Sequence, residues 1–453
     1  MNNKKDLTTG SVSKKLVQLT LPMMLGIISM VAFNLIDTFY IGQLGKTELA
    51  ALSFTFPVIM VIFSFIQGLG IGATALISKS IGRKDRKKAA RETTDSIALS
   101  MLITGFFVII GLLSIKPTFQ LLGADANTAE MVEEYMRIWY FALFFVSVPF
   151  VGNSAIRATG DARTPAFIML FAVIVNAILD PILIFGYLGF PAMGLKGAAI
   201  ATAISRGMTM VLSFYVLIRR EKLITFEVPS RAVLTACWKS ILFIALPSGL
   251  ARLVVPIATA IITGILASYG DFAVAAFGVG SRIEFLASSV LFALAASIGP
   301  FVGQNYGGGK MDRVKEAVRL SVGFALIWGL ASWGILALFS RPLASIFNDN
   351  LEVIQTVQWY LWIVPAGFGL NGILSITNSQ LNTIGKPLQA SLIVIVQMIV
   401  IGLPSIFIGK QIAGVQGIFM ALAFTYIAGG IISLIFSRQI MNKLSRGSTA
   451  TAR

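Results

Sequence analysis

Charge is almost absent from twelve long stretches of this chain, and that absence constrains the fold more than any motif does. A run of about 17 to 25 apolar residues matches the hydrocarbon thickness of a bilayer at the rise of an α-helix. Such runs lie near 16–41, 50–78, 93–114, 131–153, 164–187, 194–218, 239–268, 273–303, 317–339, 353–375, 387–408 and 414–437. Of the 453 residues 56% are hydrophobic and 12% charged, where soluble domains carry about one quarter charged. The mean hydropathy is +0.84. The expected fold class is an all-α integral membrane protein with twelve transmembrane helices.

The loops orient those helices. Twelve spans put both termini on one side, and the segments on that side hold 27 Lys and Arg against 5 in the opposite loops. Basic residues stay cytoplasmic, so both termini are expected in the cytoplasm of a prokaryotic cell with the chain in its plasma (inner) membrane. This distribution also explains the net charge of +16, which in a soluble protein would suggest nucleic acid; none is expected here. The start, with Lys4, Lys5, Lys14 and Lys15, leads into an apolar run too long for a signal peptide, so the first span is expected to stay. One Cys (Cys237) and no His exclude a disulfide scaffold, a Cys/His metal centre and imidazole catalysis. Only an aspartyl dyad would remain for an enzyme, and the expectation is that the chain is not one.

The chain is duplicated. QLTLPMMLGIISMVAFNLIDTFYIGQLG (18–45) aligns without a gap on FIALPSGLARLVVPIATAIITGILASYG (243–270), placing Leu21-Pro22 on Leu246-Pro247 and Gly45 on Gly270. Further on, Gly160 matches Gly385, Asp180-Pro181 corresponds to Leu403-Pro404, and GLKGAAIA (194–201) to GVQGIFMA (414–421). Each half has six spans, an even number, so the halves share one orientation and form two pseudo-symmetric six-helix bundles, as in transporters that rock two lobes about a central site. The expected domains are an N-lobe at 1–218, a cytoplasmic linker at 219–238, and a C-lobe with a basic tail at 239–453.

An ionisable residue inside a membrane span is a functional candidate by default. Of the twenty acids, only Asp37, Asp180 and Glu284 fall well inside spans. Asp37 aligns with Ile262 and Asp180 with Leu403, so two carboxylates are confined to one lobe. Both lie about 8–9 Å from the outer ends of their spans at 1.5 Å per residue. Asn176 sits one turn before Asp180 on the same face, and Thr202 lies about 12 Å into its own span. Four oxygen-bearing side chains therefore share one layer. Pro181 frees the carbonyl of Ala177 beside them. Two carboxylates with neutral oxygens and no imidazole or thiolate suit Na⁺, or a proton shared between the acids. Arg206 lies in the cytoplasmic half of its span, while Arg252, Arg282 and Glu284 are expected as gating or interlobe charges. Met30, Phe33, Asn34, Tyr40, Asn153 and Met169 are candidates for the wall of a substrate cavity, where soft and aromatic surface adapts to varied ligands. Pro22, Gly26 and Pro181 are candidate bending points.

Two six-span repeats, LP in span 1 followed by NLIDTFYIGQLG, ATGDARTP (158–165), VNAILDP (175–181) and GLKGAAIAT (194–202) resemble the multidrug and toxic compound extrusion (MATE) transporters, and within them the prokaryotic DinF-like branch. The resemblance runs essentially end to end. It implies a secondary active multidrug efflux antiporter that exports organic cations or amphipathic drugs in exchange for Na⁺ or H⁺ by alternating access. It also implies a monomer in membrane lipid that needs no cofactor beyond the coupling ion. The family's N-lobe cation site maps onto Asp37, Asn176, Asp180 and Thr202. The acids that other members carry in spans 7 and 10 have no counterpart: span 7 lacks any acid, and Glu352 stands only at the outer margin of span 10. The alternative reading is a flippase for a lipid-linked precursor, for which Arg206, Arg252 and Arg282 are the available cavity cations.

Overall fold

The computed structural model describes residues 5–123 and 125–450, and every regular element among them is helical. In chain order the helices are α1 (Val12–Leu44), α2 (Lys46–Gly82), α3 (Arg86–Leu121), α4 (Ala126–Ala158), α5 (Arg163–Phe185), α6 (Gly194–Tyr215) and α7 (Arg231–Ala267). Then come α8 (Asp271–Gly307), α9 (Met311–Leu338), the short α10 (Ser340–Ser345), α11 (Leu351–Ile363), α12 (Phe368–Ile384), α13 (Pro387–Ile395) and α14 (Leu403–Ala450). Eleven continuous helical stretches among the described residues are long and apolar enough to cross a bilayer. The last of them, Pro387–Asn442, runs for 56 residues and is broken at Ala413 (φ −141°, ψ 25°) and Gly414 (φ 56°, ψ −130°). It therefore accounts for two spans, and the total is twelve.

The helix ends follow from side chains at the boundaries. Asp85 accepts a hydrogen bond from the Lys88 backbone N–H at 2.9 Å to cap α3, and Asp125 does the same for Thr128 at 2.7 Å to cap α4, each satisfying a donor that the first turn leaves orphaned. The duplication shows in the backbone itself. Gly160 and Gly385 close corresponding loops at φ 91° and 89°, and Gly194 and Gly414 open corresponding spans at φ 53° and 56°, a region that any Cβ disfavours. Pro404 removes a donor within the last long stretch, and the preceding turns, Val396–Gly402, widen to a π-helix.

Packing divides the chain into two compact units that do not coincide with the two sequence halves. One unit comprises Met1–Asp6 and Leu21–Gly249, the other Leu7–Thr20 and Leu250–Arg453. The boundaries thus fall inside α1 and α7 and not in the expected linker at 219–238. Of that linker only 221–230 is free of helix, because α6 continues as a π-turn to Arg220 and α7 starts at Arg231.

In the first unit α4 is the central helix: 72% of its apolar window is buried, against 22% for α1. One apolar core joins Ile62, Val108, Tyr135, Trp139 and Leu143 with Ile184 and Ala198. A second, toward the loops rich in Lys and Arg, joins Leu69, Ala73, Ile97, Val151 and Ile156 with Ile241. At that basic face Asp161 binds Thr164 through its backbone N–H (3.1 Å) and hydroxyl (2.9 Å). Asp161 also meets Lys5 at 3.2 Å and pairs with Arg220, while Arg220 Nε reaches Glu221 at 3.1 Å. In the second unit the core joins Ile262, Phe277, Ile283, Val357, Tyr360 and Phe419. Its basic face holds the chain's early residues: the Leu7 N–H donates to Gln304 Oε1 (3.1 Å), and Arg313 donates to the carbonyls of Leu7 and Gly10.

Candidate functional site: an oxygen layer in the first unit

The layer is set by two close helix contacts. Along α1 and α5, Gly26 faces Ala166, where an added Cβ would lie 3.7 Å from Ala166 Cα, and higher up Phe33 packs with Ala172 and Val173. Both helices run the same way, so this register carried one further turn brings Asp37 level with Asn176 and Asp180. Between α5 and α6 the approach is tighter, since a Cβ at Gly197 would lie 2.3 Å from the Leu183 carbonyl oxygen. From that crossing α6 descends five residues to Thr202 and α5 three to Asp180, which leaves the two within about 3 Å in depth.

Asp37, Asn176 and Asp180 meet here, and Thr202 lies at the same depth on α6. Asn176 and Asp180 are fully buried, Thr202 nearly so, and Asn176 Nδ2 donates to Asp180 Oδ1 at 3.0 Å. Each of the four then keeps one buried oxygen with no hydrogen-bond partner: Asp37 Oδ1, Asn176 Oδ1, Asp180 Oδ2 and Thr202 Oγ1. Orphaned buried oxygens cost free energy unless something supplies positive charge or protons. Four unpartnered oxygens at one depth, two of them from carboxylates, suit a hard monovalent cation or a proton.

Two neighbours were not anticipated as members of this site. Tyr135, buried on α4, lies within Coulombic reach of both carboxylates, and Arg206 on α6 within reach of Asp37. The Arg206 guanidinium stacks over the Phe33 ring, 4.1 Å from its centroid, and contacts Met169 Sδ at 4.0 Å. Arg206 is thus drawn toward the site. A phenol in a run of aromatics leaves no signal in a sequence, but an arginine in mid-span is itself such a signal.

The remaining candidates separate. Phe33 and Met169 touch Arg206 as described, while Asn34 donates to the carbonyl of Met30 at 3.1 Å and remains exposed beside it. Tyr40 packs edge-on against Phe39 and Phe185 within the apolar core. Asn153 is buried and accepts from Ser213 at 3.1 Å, so it ties α4 to α6. Helix α1 is continuous through Pro22 and Gly26, and α5 through Pro181.

Glu284 corrects the expectation of an interlobe charge. Its carboxylate accepts from the hydroxyls of Tyr360 and, at 2.8 Å, Tyr426, and all three residues belong to the second unit. Neutral phenols take the place of a cation, because both carboxylate oxygens are satisfied without one. Arg252 and Arg282 are exposed and make no ion pair among the described residues. Glu352 sits in the exposed first turn of α11, capped by Asn350. In the second unit the position equivalent to Asp37 is Ile262 and that equivalent to Thr202 is Leu422, both buried in the apolar core. The oxygen layer of the first unit is therefore not repeated at the aligned positions of the second.

Comparison with known proteins follows the same lines. A sequence model of the MatE family matches residues 22–182 and again 247–408, one match per repeat. The FAD transporter of Shewanella oneidensis is 35% identical over 440 residues, covering 97% of each chain. The multidrug export protein MepA of Staphylococcus haemolyticus is 25% identical over 437 residues, covering 96% of this chain and 95% of that one. Among solved structures, the Vibrio cholerae MATE transporter VcmN in the bent form superposes with a TM-score of 0.91 at 29% identity, covering 95% of this chain and 97% of that one.

Proposed function

Because the chain belongs to the MatE family, and is a multi-pass membrane transporter and not an enzyme, we propose that it expels small molecules from the cytoplasm in exchange for Na⁺ or H⁺. The observation that carries this reading is the set of four buried, unpartnered oxygens on α1, α5 and α6. On this reading both termini are cytoplasmic, the membrane is the plasma membrane of a prokaryote, and the working unit is a monomer.

The steps follow from the charges. With the layer empty of a cation, Asp37 and Asp180 repel one another, and Arg206 offsets part of the charge on Asp37. An entering cation, or a proton on one carboxyl, satisfies the orphaned oxygens and removes that repulsion. Asp180 is held by Asn176 on α5, whereas α1 has less of its apolar length buried than α5 or α6, so Asp37 is the partner that moves. Helix α1 then repacks against α5, bending where Pro22 lacks a donor and Gly26 lacks a side chain. Phe33 and the Met30–Asn34 turn lie on that helix, so occupancy of the layer alters the surface offered to a substrate. By linkage the substrate must weaken cation binding by the same factor.

A second reading concerns the substrate and is favoured by the arginines. Arg252 and Arg282 of the second unit are exposed within spans and make no ion pair among the described residues. Guanidinium groups suit the phosphates of an anionic dinucleotide better than an organic cation. The relative at 35% identity is named for FAD, while the relative named for multidrug export stands at 25%.

Both readings are tested with purified protein in liposomes under an imposed Na⁺ gradient or pH gradient, following ethidium and FAD in parallel. Movement of either solute driven by one gradient, and lost in Asp37→Asn and Asp180→Asn, supports antiport through the layer and identifies the ion. Equal transport by wild type and both variants removes the layer from the mechanism. Transport of FAD without ethidium selects the anionic substrate, and movement of neither under either gradient favours a lipid-linked cargo.

A further inference from the structure

Away from the oxygen layer, at the basic face of the first unit, the ends of α2, α3 and α7 enclose a cavity of about 700 Å³. Its rim is cationic. Arg83, Lys88 and Lys239 are exposed and make no ion pair among the described residues, and Lys79 and Arg91 complete the lining. Arg91 is already committed, pairing with Asp95 and donating to the Glu227 carbonyl.

The cavity wall also carries two acids, one turn apart on α3. Glu92, 8% exposed, bonds Ser80, and the fully buried Asp95 pairs with Arg91, yet each keeps one buried oxygen, Glu92 Oε2 and Asp95 Oδ2, without a hydrogen-bond partner. A site for a simple anion would not place orphaned carboxylate oxygens beside it. Cations at the rim with unsatisfied carboxylates behind them match a ligand that carries both a phosphate and an N–H-bearing ammonium.

An apolar trough of about 580 Å³ leads away from this cavity along one face of α7, lined by Trp238, Leu242, Phe243, Leu246 and Pro247. Lys239 and Phe243 line both spaces. Phe243 is 51% and Leu246 45% exposed, on a helix face running from the basic end into the span. Trp238 Nε1 donates to the Asp95 carbonyl at 3.0 Å, fixing α7 to α3 where the two spaces meet. A polar pocket at the headgroup level continuous with an apolar trough at the acyl level is the shape of a phospholipid site.

We propose that this cavity binds an aminophospholipid of the phosphatidylethanolamine class. Its phosphate lies among Arg83, Lys88 and Lys239, its primary ammonium donates to Glu92, and an acyl chain lies along α7. The charges lining the cavity select this headgroup: a quaternary choline has no N–H to give the carboxylate, and a glycerol headgroup brings no positive charge to it.

The test is native mass spectrometry of the full-length protein released from detergent with equimolar phosphatidylethanolamine, phosphatidylcholine and phosphatidylglycerol of matched chains. Phosphatidylethanolamine is expected to be retained at least about tenfold over phosphatidylcholine, the worth of one charge-assisted hydrogen bond. Glu92→Gln is expected to shrink that ratio. Lys88→Ala combined with Lys239→Ala, both at exposed positions, is expected to weaken retention of all three lipids by roughly 25-fold, at about fivefold per surface charge. Equal retention of phosphatidylethanolamine and phosphatidylcholine, or a preference for phosphatidylglycerol, would overturn the proposal. So would unchanged retention in the double variant. Thermal protection by inorganic phosphate equal to that given by the lipid would reassign the cavity to a free anion.

Discussion

Gly197 holds the oxygen layer together, and replacing it with alanine tests that arrangement at one atom. The added Cβ would lie 2.3 Å from the Leu183 carbonyl oxygen, where an ordinary contact needs about 3.3 Å, so α5 and α6 must part by about 1 Å. Overpacking of this size costs about 2 kcal/mol, and for a unit of this size the thermal midpoint falls by roughly 4–8 °C. The same displacement shifts Thr202 on α6 relative to Asp180 on α5. Losing one neutral ligand of about 1 kcal/mol should raise the half-saturating cation concentration roughly fivefold. The duplication supplies the control. Gly417 aligns with Gly197, and a Cβ there would lie 1.9 Å from the Gly409 carbonyl oxygen, yet its unit holds Leu403 and Leu422 where the first holds Asp180 and Thr202. Gly417→Ala should therefore unfold as early as Gly197→Ala without changing cation dependence. Both are measured by thermal unfolding of the purified protein across Na⁺ concentration and pH. Equal shifts in cation dependence for the two variants, or none for Gly197→Ala, would refute the claim that this crossing sets the site.

Asp180→Asn should abolish gradient-driven transport yet unfold no earlier than wild type, because it replaces a buried carboxylate that has one unsatisfied oxygen; a loss of stability beyond about 1 kcal/mol in unfolding scans would contradict this. Glu284→Gln removes the charge that two phenols serve, and should cost about 1–3 kcal/mol in the same scans. Tyr360→Phe and Tyr426→Phe should fall short of additivity, since they share one acceptor. Burial pushes the Asp161 carboxyl up, but the backbone N–H and hydroxyl of Thr164, with Lys5, outweigh it and hold the group below its ordinary value of 3.8. A depressed folded-state value stabilises fully above the unfolded one and is lost as pH falls through the folded one. Asp161→Asn should therefore cost roughly 1 kcal/mol at pH 7, discounted for its exposed partners, and nothing once the wild-type group is protonated, as acid titration of the unfolding midpoint will read.

The twelve spans and the layer of Asp37, Asn176, Asp180 and Thr202 were legible because hydrocarbon makes a strong filter: apolar length marks a helix, and an acid that survives within it marks a purpose. Depth along a helix is simple arithmetic, so residues at like depth could be grouped before their azimuth was known. Azimuth and partners were not legible. Glu284 looked like an unpaired charge because its partners, Tyr360 and Tyr426, are aromatics that hydropathy reads as membrane filler. Asn153 looked available because Ser213, its partner, lies sixty residues on in another helix. The cluster from Lys79 to Arg91 was absorbed by topology, and nothing in its sequence told that Glu92 and Asp95 turn inward to form a wall. Least legible was where one compact unit stops, since Thr20/Leu21 and Gly249/Leu250 fall within unbroken apolar helices that carry no turn signal.

That division bears on how such a chain arose. Residues Leu7–Thr20 of the first repeat pack with the second unit, and 231–249 of the second repeat pack with the first; by the alignment of 18–45 on 243–270 these are the same segment of the repeat. Each repeat lends its leading arm to the other. A single ancestral repeat would have been left with one arm unplaced and one berth unfilled, and two copies exchanging arms reciprocally form a domain-swapped homodimer. Fusion of the two genes through a segment as short as 221–230 would have made that exchange permanent. It also freed each copy to differ, the first carrying carboxylates where the second carries isoleucine and leucine.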